Sequence, residues 1–146
     1  MSTNGSPTPA PETVVRDFLA ALERLDIDAA CALVSDDILY ENKGLPAIRG
    51  RVKFDRAMRS LRRYMDGFEA RTHNLAVDGD VVLTERTDVL RRADFETAFW
   101  VCGRFEVRDG KIVVWRDYFD FVNFTVAAVR GLVGMAIGRR RATVTT

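Results

Sequence analysis

The sequence predicts an α+β domain in which N-terminal helices pack on a curved antiparallel or mixed sheet that encloses a deep apolar pocket. Apolar residues at helical spacing occupy the first part of the chain, and alternating strand patterns separated by Asp-Gly turns occupy the middle. Helices followed by a meander of strands are typical of α+β domains, with the helices on one side of the sheet. A sheet curled around its helices leaves a concave hollow, where small-molecule sites are commonly found.

Three helices are predicted ahead of the strands. The first begins at Pro11, and its apolar face carries Val14, Val15, Phe18, Leu19 and Leu22. The second is short, is capped by Asp26 and runs to Val34. After an extended segment over residues 38–42, the third helix follows Gly50. Its apolar stripe is Val52, Met58, Leu61 and Met65, and its solvated side carries Arg56, Arg59, Arg62 and Arg63.

Four strands and a final helix are predicted after Gly67. The strands cover residues 68–77, 81–92, 95–107 and 112–121. Asp78-Gly79 and Asp109-Gly110 are strong hairpin signals between them. Asn123 is expected to cap the last helix, which runs to about Ile137.

Size and composition predict one domain and limit the classes of binding partner. A chain of 146 residues fits a single hydrophobic core over residues 11–138, preceded by a disordered leader at 1–10 and followed by a basic flexible tail at 139–146. The net charge is +1, from 22 basic and 21 acidic residues, so no global positive field suggests a nucleic-acid partner. Cys31, Cys102 and one histidine do not make a convincing metal site. Reduced, packed thiols in a cytoplasmic protein are expected instead.

Two predicted strands carry charges on faces that should be buried. Arg86 and Asp88 share a face in the second strand, and Asp117 lies among Val113, Trp115 and Phe119 in the last. Burying a carboxylate without a partner is costly, so Asp117 should pair, and Arg86 is a plausible partner. Each such pattern alone is more often a structural ion pair.

Tyr40 and Asn42 share a face of the first extended segment, where a phenol and an amide can orient a water molecule. The co-occurrence of these groups with the buried charges favours a common site in one cavity. Trp100 and Trp115 are expected in the pocket wall or core. His73 is expected at the surface.

Three motifs together resemble those of limonene-1,2-epoxide hydrolases. They are Tyr40-x-Asn42, the segment Leu-Thr-Glu-Arg-Thr-Asp-Val-Leu over residues 83–90, and Trp-Arg-Asp-Tyr-Phe-Asp over residues 115–120, with a Gly-Lys hairpin before the last one. The resemblance covers residues 11–122. It implies the NTF2-like (cystatin-like) cone, usually as a homodimer, and hydrolysis without a cofactor or an ester intermediate.

The resemblance also implies roles for five residues. Asp88 corresponds to the general acid that protonates the epoxide oxygen, and Asp117 to the general base that takes a proton from water. Arg86 would bridge the two carboxylates, and Tyr40 and Asn42 would hold the water with Asp117. The substrate would be a lipophilic epoxide, with terpene, fatty-acid and sterol epoxides fitting equally well.

Two other functions stay open at this point. A ketosteroid-isomerase-like or polyketide-cyclase-like enzyme could use the same fold, although it needs no arginine between two aspartates. A lipid-binding module could use buried charges only to fix strand register. The apolar segment before the arginines at 139–141 should pack over the pocket mouth or across the dimer. Alternatively, residues 125–141 could make weak contact with anionic membrane surfaces.

Overall fold

A computed structural model describes residues 5–143, with side chains through residue 138. Its helices are α1 (Pro11–Glu23), α2 (Ile27–Ala32), α3 (Arg51–Tyr64) and α4 (Phe121–Thr143). Its strands are β1 (Val34–Asn42), β2 (Ile48–Arg49), β3 (Gly67–Asp78), β4 (Val81–Arg92), β5 (Phe95–Arg108) and β6 (Lys111–Tyr118). Residues 5–10 are exposed and belong to no helix or strand, while the first four residues of the predicted leader lie outside the described part.

The six strands form one open, curved, mixed sheet in the order β2-β1-β6-β5-β4-β3. The predicted meander is confirmed, since β3 to β6 pair antiparallel with their sequence neighbours. β1 joins it by running parallel to β6, with Tyr40 opposite Trp115 and Asn42 opposite Asp117. This single parallel pairing brings the first motif beside the last.

Register shifts in the sheet help it to curl around the helices. One of them omits His73 from the pairing of β3 with β4. Another omits Val113 from the pairing of β5 with β6. The prediction that Val113 shares the buried face was therefore wrong: Ile112 is fully buried there instead, and Val113 is half-buried.

The helices cover the concave face of the sheet. The predicted buried face of α1 is confirmed, with Phe18 contacting Trp115 of β6 edge to face at a ring separation of 5.1 Å. In α3 the predicted stripe was partly wrong, because Val52 is 75% exposed while Phe54 and Met58 are buried. Phe54 lies two positions beyond Val52, so burying it turns Val52 toward solvent.

Two predicted helix boundaries also change. Asp26 does cap α2, accepting a hydrogen bond from the Ala29 amide at 3.0 Å, but the chain becomes extended already at Val34. The predicted cap of the last helix was wrong: Asp120, not Asn123, accepts hydrogen bonds from the backbone amides of Val122 and Asn123. The Asn123 side chain instead donates to Asp120 at 3.1 Å.

α4 packs on the beginning of β5. Phe124 contacts Phe99, and Gly131 lies directly against the Glu96 carbonyl and the Phe95 ring. The helix continues six residues beyond the predicted end at residue 137, which places residues 139–143 of the predicted tail in helix. Its segment Phe121–Gly138 has a mean hydropathy of 1.6 and no buried residue, so by length and composition alone it is apolar enough to cross a membrane.

Candidate active site

A pocket of about 170 Å³ opens between the helices and the concave face of the sheet. Its walls are mostly apolar and come from α1, α2, α3, five of the strands (β1 and β3 to β6) and short segments beside them. Among the described residues its polar lining consists of Tyr40, Asn42, Arg62, Asp88 and Asp117, with the indole of Trp115 beside them. The structure therefore brings both predicted acids and both predicted water-binding residues to one cavity.

Arg86 joins the two acids from behind the pocket wall. It is 0% exposed, and Asp88 and Asp117 are 5% and 6% exposed. Its guanidinium donates to both oxygens of Asp88, at 2.8 and 3.1 Å, and to Oδ2 of Asp117 at 2.6 Å. The predicted bridge is thus present as a network in which every charge has a partner, as burial in an apolar setting requires.

Strand alternation explains how one sheet face collects these groups. Arg86 and Asp88 are two residues apart on β4, so both point toward the helices. Gly103 of β5 lies opposite Thr84 on one side and opposite Asp117 on the other. The missing side chain at Gly103 leaves room for the arginine to reach across β5 to β6.

Two further residues hold the network, and neither was predicted to contact its charged groups. Thr84 Oγ1 accepts a hydrogen bond from Arg86 Nη1 at 3.1 Å. The Trp115 indole Nε1 donates to Asp117 Oδ1 at 2.8 Å. Both lie two positions from a charged residue on the same strand face, which is the signal that could have identified them.

Burial raises the pKa values of Asp88 and Asp117 above that of an ordinary aspartate, and the nearby Arg86 opposes that rise. The two groups differ in what else surrounds them. The charge of Asp117 raises the pKa of Asp88 further, whereas the Trp115 hydrogen bond favours the ionised form of Asp117. With one cation between two acids, the buried cluster is neutral when one proton remains.

Tyr40 and Asn42 are hydrogen-bonded to each other beside Asp117. Asn42 Nδ2 donates to Tyr40 Oη at 2.7 Å, which leaves the phenol proton free to donate elsewhere. Burial, and then the charge of Asp117, raises the pKa of Tyr40, so the phenol remains neutral. Its ring packs on Trp115 at a centroid separation of 4.4 Å, which holds the hydroxyl in place.

Four other residues considered in the sequence analysis lie partly as predicted. His73 is exposed, as predicted, and contacts Thr87 Oγ1 at 2.8 Å. Trp115 is in the pocket wall, but the same expectation was wrong for Trp100, which is 51% exposed and donates to Glu85. Trp100 occupies the convex face because its neighbours Phe99 and Val101 face the pocket. Arg62, expected to be solvated, is exposed but also lines the pocket.

The chain is similar to proteins of a known family. The sequence model of the limonene-1,2-epoxide hydrolase catalytic domain matches residues 9–130. Epoxide hydrolase EphG of Mycobacterium tuberculosis is 43% identical over 129 residues, which cover 88% of this chain and 86% of that protein.

Solved structures show the same relationship. The structure of an M. tuberculosis LEH-like epoxide hydrolase superposes with a TM-score of 0.82 at 41% identity, covering 88% of this chain and 96% of the other. A putative SnoaL-like polyketide cyclase from Shewanella denitrificans gives a TM-score of 0.75 at 11% identity, covering 82% and 96% of the two chains, and so shares the fold alone. NTF2-like proteins are among the other structures that share it. By the extent of the family match and the identity to its relatives, this chain belongs to the limonene-1,2-epoxide hydrolase family.

Proposed function

We propose that this protein hydrolyses a lipophilic epoxide to a vicinal diol in one step, by general acid and base catalysis without a cofactor. The observation that carries the proposal is the Arg86 bridge between two buried carboxyl groups at the wall of an apolar pocket. Opening an epoxide with water requires a proton donor for the leaving oxygen and an acceptor for the proton of the water. The cluster offers both when it retains a single proton.

In this reaction Asp117 is the general base and Asp88 the general acid. Tyr40, Asn42 and Asp117 hold a water molecule, and Asp117 takes one of its protons as the water oxygen attacks an epoxide carbon. The carbon–oxygen bond of the ring breaks, and Asp88 gives its proton to the departing oxygen, so that no alkoxide charge is left in the dry pocket. A proton must then return from Asp117 to Asp88 before the next cycle.

The pocket walls support a lipophilic substrate. Their side chains include Leu22, Ile27, Met58, Phe68 and Leu90 together with Phe99 and Phe119. Binding of an apolar substrate to these walls is favourable because it removes apolar groups from water. The polar groups of the pocket are confined to the region of the two acids. Terpene, fatty-acid and sterol epoxides all have the required character.

A panel of small and bulky lipophilic epoxides tests the proposal. Wild type, Asp88→Asn and Asp117→Asn are incubated with each epoxide, and diol is measured by chromatography. Diol from wild type, with losses of at least about 100-fold in both variants, is expected for a paired acid and base. No diol from any epoxide, with unchanged ligand affinity in Asp88→Asn, would instead favour a binding module.

A homodimer in the cytoplasm is the proposed state of the enzyme. The convex face of the sheet exposes Leu83, Trp100 and Tyr118, whose apolar area a second copy would bury. The cytoplasm is proposed because a reducing compartment keeps thiols such as those of Cys31 and Cys102 reduced. Light scattering after gel filtration measures the mass: twice that of one chain supports the dimer, and Leu83→Glu should shift it to one chain, whereas Val52→Glu should not.

Weak contact with anionic membrane surfaces through residues 125–141 is also proposed. Val129, Leu132, Val133 and Ile137 are about half exposed on α4, and the sequence continues into three consecutive arginines. Exposed apolar residues beside basic ones are typical of helices that lie on anionic lipid. Co-sedimentation with phosphatidylglycerol-containing vesicles should exceed that with phosphatidylcholine alone and should fall in Leu132→Glu/Val133→Glu. Equal sedimentation of this variant and wild type would contradict the contact.

A further inference from the structure

Gly103 lies beside three of the side chains that form the network: Arg86, Thr84 and Asp117. It pairs with Thr84 of β4 and with Asp117 of β6, so it lies between the strands that the network connects. A Cβ atom at this position would overlap Nη1 of Arg86 and lie 2.7 Å from Thr84 Oγ1 and 3.0 Å from Asp117 Oδ1. All three of these neighbours are polar side-chain atoms of the site.

The glycine is required for space and not for backbone conformation. Its φ does not lie in the left-handed region, unlike those of Gly44, Gly50, Gly79 and Gly110. Glycine within a strand normally weakens the strand and often marks a close approach by another group. At Gly103 the approaching group is the Arg86 guanidinium.

The Arg86 side chain cannot move away from a new Cβ without losing one of its contacts. It is completely buried, donates to Thr84 through Nη1, and is held at its other nitrogens by Asp88 and Asp117. A methyl group at position 103 would push Nη1 away, and the rigid planar guanidinium would turn as a unit. This movement would most affect the 2.6 Å hydrogen bond from the neighbouring nitrogen, Nη2, to Asp117.

We propose that Gly103 is a positioning residue whose missing side chain sets the place of the Arg86 guanidinium between Asp88 and Asp117. The inference rests on the proposed function for its effect on turnover, but not for its effect on the network. Gly103 has no side chain that could take part in the reaction, yet it sets the geometry of the acid–base pair.

The first test compares Gly103→Ala with Gly67→Ala. Gly67 is also a strand glycine with an ordinary φ, and a Cβ there would lie 3.3 Å from Cβ of Arg91 on the neighbouring strand. We expect Gly103→Ala to lower kcat by about 10- to 100-fold, as a misplacement of about 1 Å can do. KM should change little because the apolar walls are intact. The acidic limb of the pH profile should move to higher pH as Asp117 loses its cation, and Gly67→Ala should change none of these.

A double-mutant cycle separates this role from simple strand packing. Arg86→Lys removes the arm that would collide with a new Cβ, so adding Gly103→Ala to Arg86→Lys should change thermal stability much less than it does in wild type. Equal destabilisation in both backgrounds, or wild-type kcat and pH profile in Gly103→Ala, would overturn the proposal. If Gly103→Ala alone is insoluble, a soluble double variant supports it and an insoluble one overturns it. The stability coupling can be read even if no epoxide is hydrolysed.

Discussion

Replacing Arg86 by methionine removes the one cation of the buried cluster while keeping an apolar side chain of similar length. The native guanidinium is fully buried and makes four hydrogen bonds, two to Asp88 and one each to Asp117 and Thr84. The variant leaves two carboxyl groups facing each other without compensation. Both stability and turnover should therefore fall.

The expected loss of stability follows from the burial of the network. Removing one partner of a buried ion pair typically costs about 3–5 kcal/mol. For a chain of this size each kcal/mol lowers Tm by roughly 2–4 °C, so a fall of roughly 6–20 °C is expected near neutral pH.

The loss should depend on pH in a defined direction. Burial already raises the pKa of Asp88 and Asp117, and removing Arg86 raises both further. An aspartate in the unfolded chain has a pKa of about 3.9, so above that pH the folded variant binds more protons than the unfolded chain. Its stability is therefore retained below about pH 4 and falls as the pH rises through the folded pKa values.

Urea unfolding followed by circular dichroism at pH 4, 6 and 8 measures this difference. Arg16→Met is the matched control, because Arg16 is exposed and pairs with the exposed Glu12 on the same helix. That control should cost no more than about 0.5 kcal/mol. A loss in Arg86→Met below about 1 kcal/mol at pH 8, or one that does not grow with pH, would refute the reasoning.

Three further predictions concern the same cluster. The pH profile of kcat/KM should be bell-shaped, falling at low pH as Asp117 is protonated and at high pH as Asp88 ionises, with both limbs above the ordinary aspartate pKa; initial rates from pH 4 to 10 measure it, and a flat profile would contradict it. Tyr40→Phe and Asn42→Ala should each lower kcat by about 10- to 100-fold through loss of water positioning, with near-native Tm; unchanged kcat in both would exclude that role. Asp88→Asn should be at least as stable as wild type at pH 8, because it leaves one cation with one anion; a Tm well below that of wild type would count against this charge balance.

Much of the fold could be predicted because local patterns agree with the final packing. Alternation located β4 at its observed bounds, Val81–Arg92, and the two Asp-Gly turns located the hairpins between β3 and β4 and between β5 and β6. The parallel pairing of β1 with β6 is a long-range contact that no local pattern encodes. The boundary errors at Val34 and Asn123 arose where the chain changes direction, since neighbouring residues there have similar propensities.

The site was predictable to the extent that its residues break the apolar pattern. Arg86, Asp88 and Asp117 stand out because charges on a buried strand face need partners. The parts played by Trp115 and Gly103 could not be assigned in the same way. An indole fits an apolar face whether or not its N–H is used, and a glycine shows nothing about what fills the space beside it.

The central claim is that water attacks the epoxide directly while Asp117 acts as a base. Single-turnover hydrolysis in ¹⁸O-labelled water, with enzyme in excess over epoxide, tests it most directly. Direct attack by water predicts one labelled oxygen in the diol and no label in the protein, and no diol with Asp117→Asn on the same time scale. Label incorporated into a carboxyl group of Asp88 or Asp117, with unlabelled diol in the first turnover, would contradict it.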